Sequence, residues 1–420
     1  MTKYQRITFV IPCRNNLRFL QQAVSSIEEH YADGHDIVIM DDASTDDSWE
    51  WIENYGSDKN HILTYRNGGP DRVGHTVLYD IGIQLAKTPI VSILHSDMII
   101  TPNYVGNMLK HLTPLSVVSA TRIEPPLHPP GPEKYVKNFG MDVDEFTDSK
   151  SDFLKFVYEA EYVNEGKVTN GIFAPWMLYK EDFTSTGGHD KLFAPMELED
   201  SDIFNRFHLK GYQLIQSRDA FVYHMTCRGS RFKDGIVIEK EIPLPDGTIW
   251  YKPKDSEEYT LLRENKFREW WRKWHIDVLH DDNMMPIVPK RYQTAFVVKN
   301  CNLMLLKVLE PWCDRIYVDE VFKVGRAWDY VEMEGENTLY DLSKRVMIID
   351  NQNPYDYDDV IVEFDGSKLT NELFNEFIKK LPFIIEETNE LGQFNLGIFD
   401  ISIVSLTPID MIKPHFKNVF

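Results

Sequence analysis

Short apolar runs alternate with helix-spaced apolar residues through the first part of this chain, and that alternation restricts the fold more than any other feature. RITFVIP (6–12), HDIVIMDD (35–42), HILTYRN (61–67) and PIVSILHSD (89–97) read as strands. Between the first two, Leu17, Leu20, Val24 and Ile27 fall on one helical face. SWEWIENYG reads as a second helix stopped by Gly56, and GHTVLYDIGIQLAKT (74–88) as a third. Strands that alternate with helices pair in parallel through right-handed crossovers, so the predicted class is α/β.

Three of these strands deliver polar groups at their carboxyl ends: PCRNN, DDASTDD and HSD. In an open α/β sheet such ends line one crevice, where ligands bind. Asp97 closes an apolar strand, and a buried carboxylate without a partner costs several kcal/mol. It therefore has a partner or faces that crevice. Each group also has a plainer reading. DDASTDDS caps a following helix as readily as it binds anything. It superficially matches a calcium loop through Asp42, Ser44, Asp46 and Glu53, but Asp47 stands where that loop requires glycine. The phosphate loops GxGxxG and GxxxxGK[ST] are absent, as is the GxSxG elbow, which argues against dinucleotide oxidoreductases, P-loop kinases and α/β-hydrolases.

The chain has 420 residues and a formal net charge of -21, enough length for two or three domains and the wrong sign for a nucleic-acid surface. No stretch reaches the roughly 18 apolar residues of a spanning helix. The expectation is a soluble, cytoplasmic protein, at most peripheral at a membrane. Cys13, Cys227, Cys301 and Cys313 form no CxxC pair, so neither a zinc ribbon nor a disulfide framework is indicated.

Further along, the proline density of EPPLHPPGPEKY marks residues 124–150 as an ordered loop or lid. LEDSDIFNRFHLKGY (198–212) is a helix with Ile203, Phe204 and Phe207 on its core face, ended by Gly211, and QLIQSRDAFVYHMT adds one or two strands. REWWRKWH, within residues 231–290, is expected to be a helix packing on the N-terminal domain. From residue 291 the strand–helix alternation restarts, giving a smaller C-terminal α/β domain. Its opening echoes residues 7–42, read here as shared βαβ grammar rather than a repeat. No chemical motif is found there.

ITFVIPCRNNLRFLQQAVSSI, DIVIMDDASTDDS, GIQLAKTPIVSILHSD, TGGHDKLFAPMELEDSDIFNRFHLKGY and VYHMTCRGS, taken in order, resemble the motif series of the family 2 glycosyltransferases. The resemblance covers about residues 5–230. It implies a GT-A-like, Rossmann-type mixed sheet flanked by helices over 1–230. Residues 231–290, read as an extension, and 291–420, read as a separate domain of unassigned role, lie outside it. It implies an inverting enzyme that moves a sugar from a nucleoside-diphosphate sugar, UDP favoured, to a hydroxyl acceptor such as a glycan, in polysaccharide biosynthesis. The implied cofactor is Mn2+ or Mg2+.

Carried over position by position, the resemblance places Pro12, Arg14, Asp42, Arg72, His95 and Ser96 at the nucleotide. Asp42 would accept a hydrogen bond from the base, and Arg72 would approach the diphosphate. Asp97 matches the metal-binding acid of the DxD position, and His224 matches a further metal ligand. His95 departs from the pattern, which has an acid there. Asp200 matches the catalytic base, with Asp202 read as a helix acid. Glu199 and Trp176 fall on the acceptor side, although the residues leave open whether Trp176 is core instead. A helix N-terminus favours the ionised form of Asp200. The competing reading is a carbohydrate-binding or scaffolding protein, weak in catalysis, that kept the fold. Asp97, His224 and Asp200 gathered in one cleft would separate the two. The C-terminal domain would bind acceptor or mediate self-association. A sugar-phosphate nucleotidyltransferase would need a Gly- and Arg-rich loop where PCRNN stands.

Overall fold

The computed structural model describes residues 5–31, 34–226, 229–232, 235–245, 247–319, 326–349 and 358–418. Cys227 lies outside them; Cys13, Cys301 and Cys313 are free and buried. The chain divides into two compact units, residues 1–262, 280–287 and 417–420 forming the first and 263–279 and 288–416 the second.

The first unit contains β1 (Thr8–Cys13), α1 (Leu17–Tyr31), β2 (Asp36–Asp42), α2 (Ser48–Ser57), β3 (Ile62–Asn67), α3 (His75–Leu85), β4 (Ile90–Ile93) and β5 (Met98–Ile100). There follow α4 (Tyr104–Leu109), β6 (Ser116–Glu124), β7 (Lys134–Val136), α5 (Val143–Asn164), β8 (Val168–Asn170) and β9 (Trp176–Tyr179). Then come α6 (Lys180–Thr186), α7 (Glu199–Leu209), β10 (Gln213–His224) and the separate hairpin β11 (Ile238–Pro243) and β12 (Ile249–Pro253).

β1 shows why the alternation folds this way. Every residue of it is buried, because helices cover both faces. Phe9 and Ile11 point into one core cluster with Leu20, Val24 and Ile27 of α1. Val10, between them, points into the other with Leu78 and Ile83 of α3. Burying each such side chain contributes about 1.5–3 kcal/mol.

The ten strands of the main sheet run β3-β2-β1-β4-β9-β6-β10-β5, with β7 on β6 and β8 on β10. β1, β2, β3 and β4 are parallel. β9 is antiparallel to both β4 and β6, so β6 regains the direction of β4, and β10 is parallel to β6. These six strands, and β7 beside β6, therefore end at the same edge. Cys13, Asp42, Asn67, the His95–Asp97 turn, Glu124 and His224 all lie there.

Two expectations change. The Pro-rich segment is an ordered loop only to its midpoint: β7 pairs with β6 and α5 starts at Val143, with Asp142 accepting from the amides of Asp144 and Glu145. Residues 231–290 do not form one extension. Residues 231–262 and 280–287 belong to the first unit and 263–279 to the second, the boundary falling within α8 (Glu257–Trp274). REWWRKWH thus packs in the second unit, where Trp271 stacks on Trp312 at 4.8 Å between ring centroids.

The second unit holds β13 (Thr294–Lys299), α9 (Leu303–Leu309), β14 (Arg315–Val318), α10 (Arg326–Gly335), β15 (Val346–Ile348), β16 (Val360–Asp365), α11 (Asn371–Phe377), α12 (Leu381–Thr388), β17 (Gly392–Leu396) and β18 (Phe399–Ile403). Its sheet runs β15-β14-β13-β16-β18-β17. The parallel part, β15-β14-β13-β16, has the strand order of β3-β2-β1-β4. Asn15 and Asn300, just past β1 and β13, both take positive φ, 48° and 53°. The echo seen in the sequence is thus one of topology as well.

Candidate active site

At the carboxyl edge of the main sheet, β4 turns at His95-Ser96-Asp97. Asp97 is nearly buried, and its partner is His224 at the end of β10: Nε2 lies 3.5 Å from Asp97 Oδ1. His224 Nδ1 lies 2.8 Å from Glu124 Oε1 at the end of β6. Burial alone would lower the His224 pKa, but Asp97 and Glu124 outweigh it and raise it. The ring of His95 meets that of His224 edge-on at 5.4 Å. Burial, followed by the charge of His224, pushes His95 down to about 3, which keeps it neutral with a free lone pair. One donor atom from each of His95, Asp97 and His224 lies within 4.8 Å of the others, the separation expected of ligands around one cation.

Glu124 sits in a buried ion cluster. Arg122 reaches it at 3.1 Å and Lys134 at 2.9 Å, and Arg122 also binds Glu133 at 2.9 Å. Burial raises the Glu124 pKa, but Arg122, His224 and Lys134 more than reverse that, holding it well below the usual carboxylate range.

The other wall comes from the first turns of α3 and α7. His75 Nε2 lies 2.6 Å from Glu199 Oε1, and its ring stacks at 6.4 Å from His95. His75 thus links the two walls. Burial pushes Glu199 up, but His75 brings it below its ordinary value. Asp200, next to it, is pushed up to about 6 by burial and by the charge of Glu199. The Ser201 amide donates to it at 2.6 Å without offsetting them. The expectation that the helix N-terminus would favour the ionised form is therefore corrected: desolvation and a like charge outweigh it here. Among the described residues, three polar atoms are buried without a hydrogen-bond partner at this wall: Arg72 Nε, the Tyr79 hydroxyl and Glu199 Oε2. Orphaned atoms of this kind are rare in native interiors and suit a place that a ligand completes.

The remaining expected residues divide. Among the described residues Arg72 reaches only the Met196 sulfur, at 3.1 Å, so its guanidinium is weakly partnered. Arg14 is part-exposed and donates to the Asp42 carbonyl at 3.0 Å, and Ser96 accepts from Asn16 Nδ2 at 2.9 Å. Asp42 is already engaged. Its Oδ1 accepts from the Val73 amide at 2.8 Å and Asn67 Nδ2 at 2.9 Å, and its Oδ2 from the Gly74 amide at 2.8 Å. It anchors the turn into α3, and only Oδ2 keeps a lone pair. Pro12 is buried within β1. Trp176 is 2 % exposed and packs edge-on against Phe204 and Phe207, so its indole has no face to offer an acceptor. Asp202 is more than a helix acid: it is fully buried and binds Arg206 at 2.8 Å. The sequence reading missed His75, Tyr79 and Glu124. Glu124 carried a usable signal, an acid closing an apolar strand as Asp97 does.

The family model described as Glycosyl transferase family 2 matches residues 8–153, in agreement with the resemblance read from the motifs there. No curated protein matches the chain in sequence. Among solved structures, the chain is similar to GalNAc-T7 with UDP, GalNAc and Mn2+, at 16% identity and a TM-score of 0.39, covering 53% of this chain and 44% of that one. It is also similar to the mannosyltransferase PcManGT from Pyrobaculum calidifontis in complex with GDP-Man and Mn2+, at 16% identity and a TM-score of 0.41, covering 66% of each chain.

Proposed function

We propose that the chain is an inverting glycosyltransferase that moves a sugar from a nucleoside-diphosphate sugar, a UDP-sugar in the first instance, to a hydroxyl of a glycan acceptor. One observation carries the reading. A cation-type pair, Asp97 with His224, and a carboxyl raised toward neutrality, Asp200, lie on two walls linked by the His75–His95 contact. A binding relic has no need of both, which favours the enzyme over the scaffolding reading.

The residues fit a divalent cation: a carboxylate and an imidazole face each other, and the far nitrogen of the imidazole is engaged by Glu124. Asp97 and His224 would hold it, and when bound it supplies positive charge against the diphosphate. Arg72, weakly partnered and part-buried, supplies charge to the same leaving group. Arg14 and Ser96 lie at the nucleotide end of the edge. Asp200 takes the proton of the acceptor hydroxyl as its oxygen bonds to the anomeric carbon. The bond from that carbon to the diphosphate oxygen breaks, and the nucleoside diphosphate leaves with the electron pair. Glu199 stays ionised beside Asp200, bound to His75, and raises its basicity. In the same reading the second unit serves acceptor binding or self-association, and the enzyme works in cytoplasmic polysaccharide biosynthesis. Among the described residues no helix is long and apolar enough to cross a membrane.

Turnover is expected to fall as pH drops through about 6, because the base must be unprotonated. Asp200→Asn should cost roughly 10²–10⁴-fold in turnover and remove that limb of the profile, with nucleotide affinity little changed. An Asn variant that turns over at the wild-type rate with an intact fold sinks the assignment.

A further inference from the structure

We propose that Tyr259, on the first turn of α8, and Glu197, whose carboxylate it holds, are positioning residues for the base: together they fix the bend that delivers Asp200 and keep a second carboxylate near it. The inference rests on the reading of Asp200 as the base. It adds two residues to that reading, one of them from the segment expected only to pack on the N-terminal domain.

The bend is the first observation. Glu197 and Leu198 take φ of 82° and 67°, directly before Glu199 and Asp200 open α7. Neither is glycine, so this left-handed backbone is strained and persists only where its surroundings hold it. The α3 side holds it twice: Thr76 Oγ1 donates to the Pro195 carbonyl at 3.3 Å, and Arg72 reaches the Met196 sulfur. Glu197 is held by a hydroxyl from α8.

The second observation is how firmly that hydroxyl is placed. The Ser256 hydroxyl accepts from the Tyr259 amide at 3.1 Å, which caps α8 and fixes where its first turn begins. Tyr259 is 7 % exposed; the Arg231 guanidinium lies 5.1 Å from its ring centre, and Arg231 is itself paired with Asp255. All of these residues belong to the first unit. The Tyr259 hydroxyl donates to Glu197 Oε1. Burial, followed by the charge of Glu197, pushes that hydroxyl up, so it stays protonated. A neutral donor fixes the carboxylate without cancelling its charge.

That charge acts on the base. Burial and Glu199 raise the Asp200 carboxyl and Glu197 adds to them, against the Ser201 amide and His75. Tyr79 also faces Asp200, but burial keeps it protonated and it brings no charge.

The test follows Asp200 itself in the full chain. Aspartate carrying 13C in its side-chain carboxyl is incorporated, the Asp200 signal is assigned by its absence from Asp200→Asn, and its titration is read by NMR. The wild-type midpoint is expected at about 6. Glu197→Gln keeps an oxygen for Tyr259 and removes the charge. The midpoint should fall by roughly 0.5–1 pH unit, and the acid limb of turnover should move with it. Tyr259→Phe keeps the ring beside Arg231 and removes the donor, so the bend loosens. Its kcat should fall by roughly 10–100-fold, with the KM for the sugar donor little changed. A merely structural role would lower the unfolding midpoint and leave the Asp200 titration where it was. An Asp200 midpoint that Glu197→Gln does not move overturns the proposal, as does a Tyr259→Phe enzyme with wild-type kcat. Should Tyr259→Phe not fold, Glu197→Gln carries the test. The two readings fail separately. A lowered Asp200 midpoint in a protein that transfers no sugar sinks the transferase and leaves the clamp. Sugar transfer that depends on Asp200, with the midpoint unmoved in Glu197→Gln, does the reverse.

Discussion

Gly74→Ala is the sharpest single test of how the α3 and α7 segments of the second wall are joined. Gly74 has φ 85° and ψ 161°, a backbone region used almost only by glycine. Its amide donates to Asp42 Oδ2. A Cβ built on it would sit 2.0 Å from the Pro195 carbonyl oxygen and 2.2 Å from Pro195 Cα. Carbon atoms normally approach no closer than about 3.5 Å, so the Pro195 backbone must withdraw by about 1.3 Å. The conformational cost is about 1–3 kcal/mol. Forcing extra volume into a packed contact adds about 1–3 kcal/mol. The expected loss is therefore about 2–6 kcal/mol. Pro195 leads through Glu197 and Leu198, both at positive φ, into Glu199 and Asp200. Its withdrawal also moves Glu199 away from His75, so turnover should fall further than the lost stability explains. Gly68 is the control, since a Cβ there meets nothing within 4 Å. Gly68→Ala should stay within about 0.5 kcal/mol of wild type. Urea unfolding of the full chain gives both values from the midpoint shift and the m-value. A Gly74→Ala protein within 1 kcal/mol of wild type, with turnover unchanged, would refute the proposed contact.

Two further substitutions test buried ion pairs, one in each unit. Asp202→Asn should destabilise the chain by about 3–5 kcal/mol, because it leaves Arg206 buried without its charge partner. Arg206 also donates to the carbonyls of Thr186 and Gly188, so the loss should appear in unfolding midpoints while the acid limb of the pH–rate profile stays in place. In the second unit, Glu310 is fully buried between Arg272 at 2.8 Å and Arg345 at 2.6 Å. Burial pushes its carboxyl up, but the two arginines hold it far below the ordinary value. A depressed carboxyl contributes stability that is fully present above its unfolded pKa of about 4.3 and is lost as pH falls toward its folded value. Glu310→Gln should therefore cost about 3–5 kcal/mol at pH 7, a gap that narrows below about pH 4; a gap that does not depend on pH would contradict this account.

The sequence by itself determined the elements and their faces. Phe9 and Ile11 alternate with Val10 along β1, and the period of two assigns each to its own core whatever lies beyond. Ile203 and Phe207, four apart, do the same for α7. The ordered motifs were enough to bring Asp97, His224 and Asp200 together as candidates. α5 escaped notice because only Phe146, Phe153 and Val157 of its residues are buried, too sparse a stripe to stand out among so many charges. Tertiary structure alone decided what each polar group touches. Glu124 and His224 are 100 residues apart, and His75 and Glu199 are 124 apart. No local period relates such positions. Glu124 and His224 meet because β9 runs against its neighbours, so that β6 and β10 end at the same edge as β4. The same crossovers buried Trp176 between Phe204 and Phe207. Local periodicity reports whether a side chain turns inward. Which partner it finds there, and hence its charge and its chemistry, depends on strand order, which no stretch of the chain holds alone.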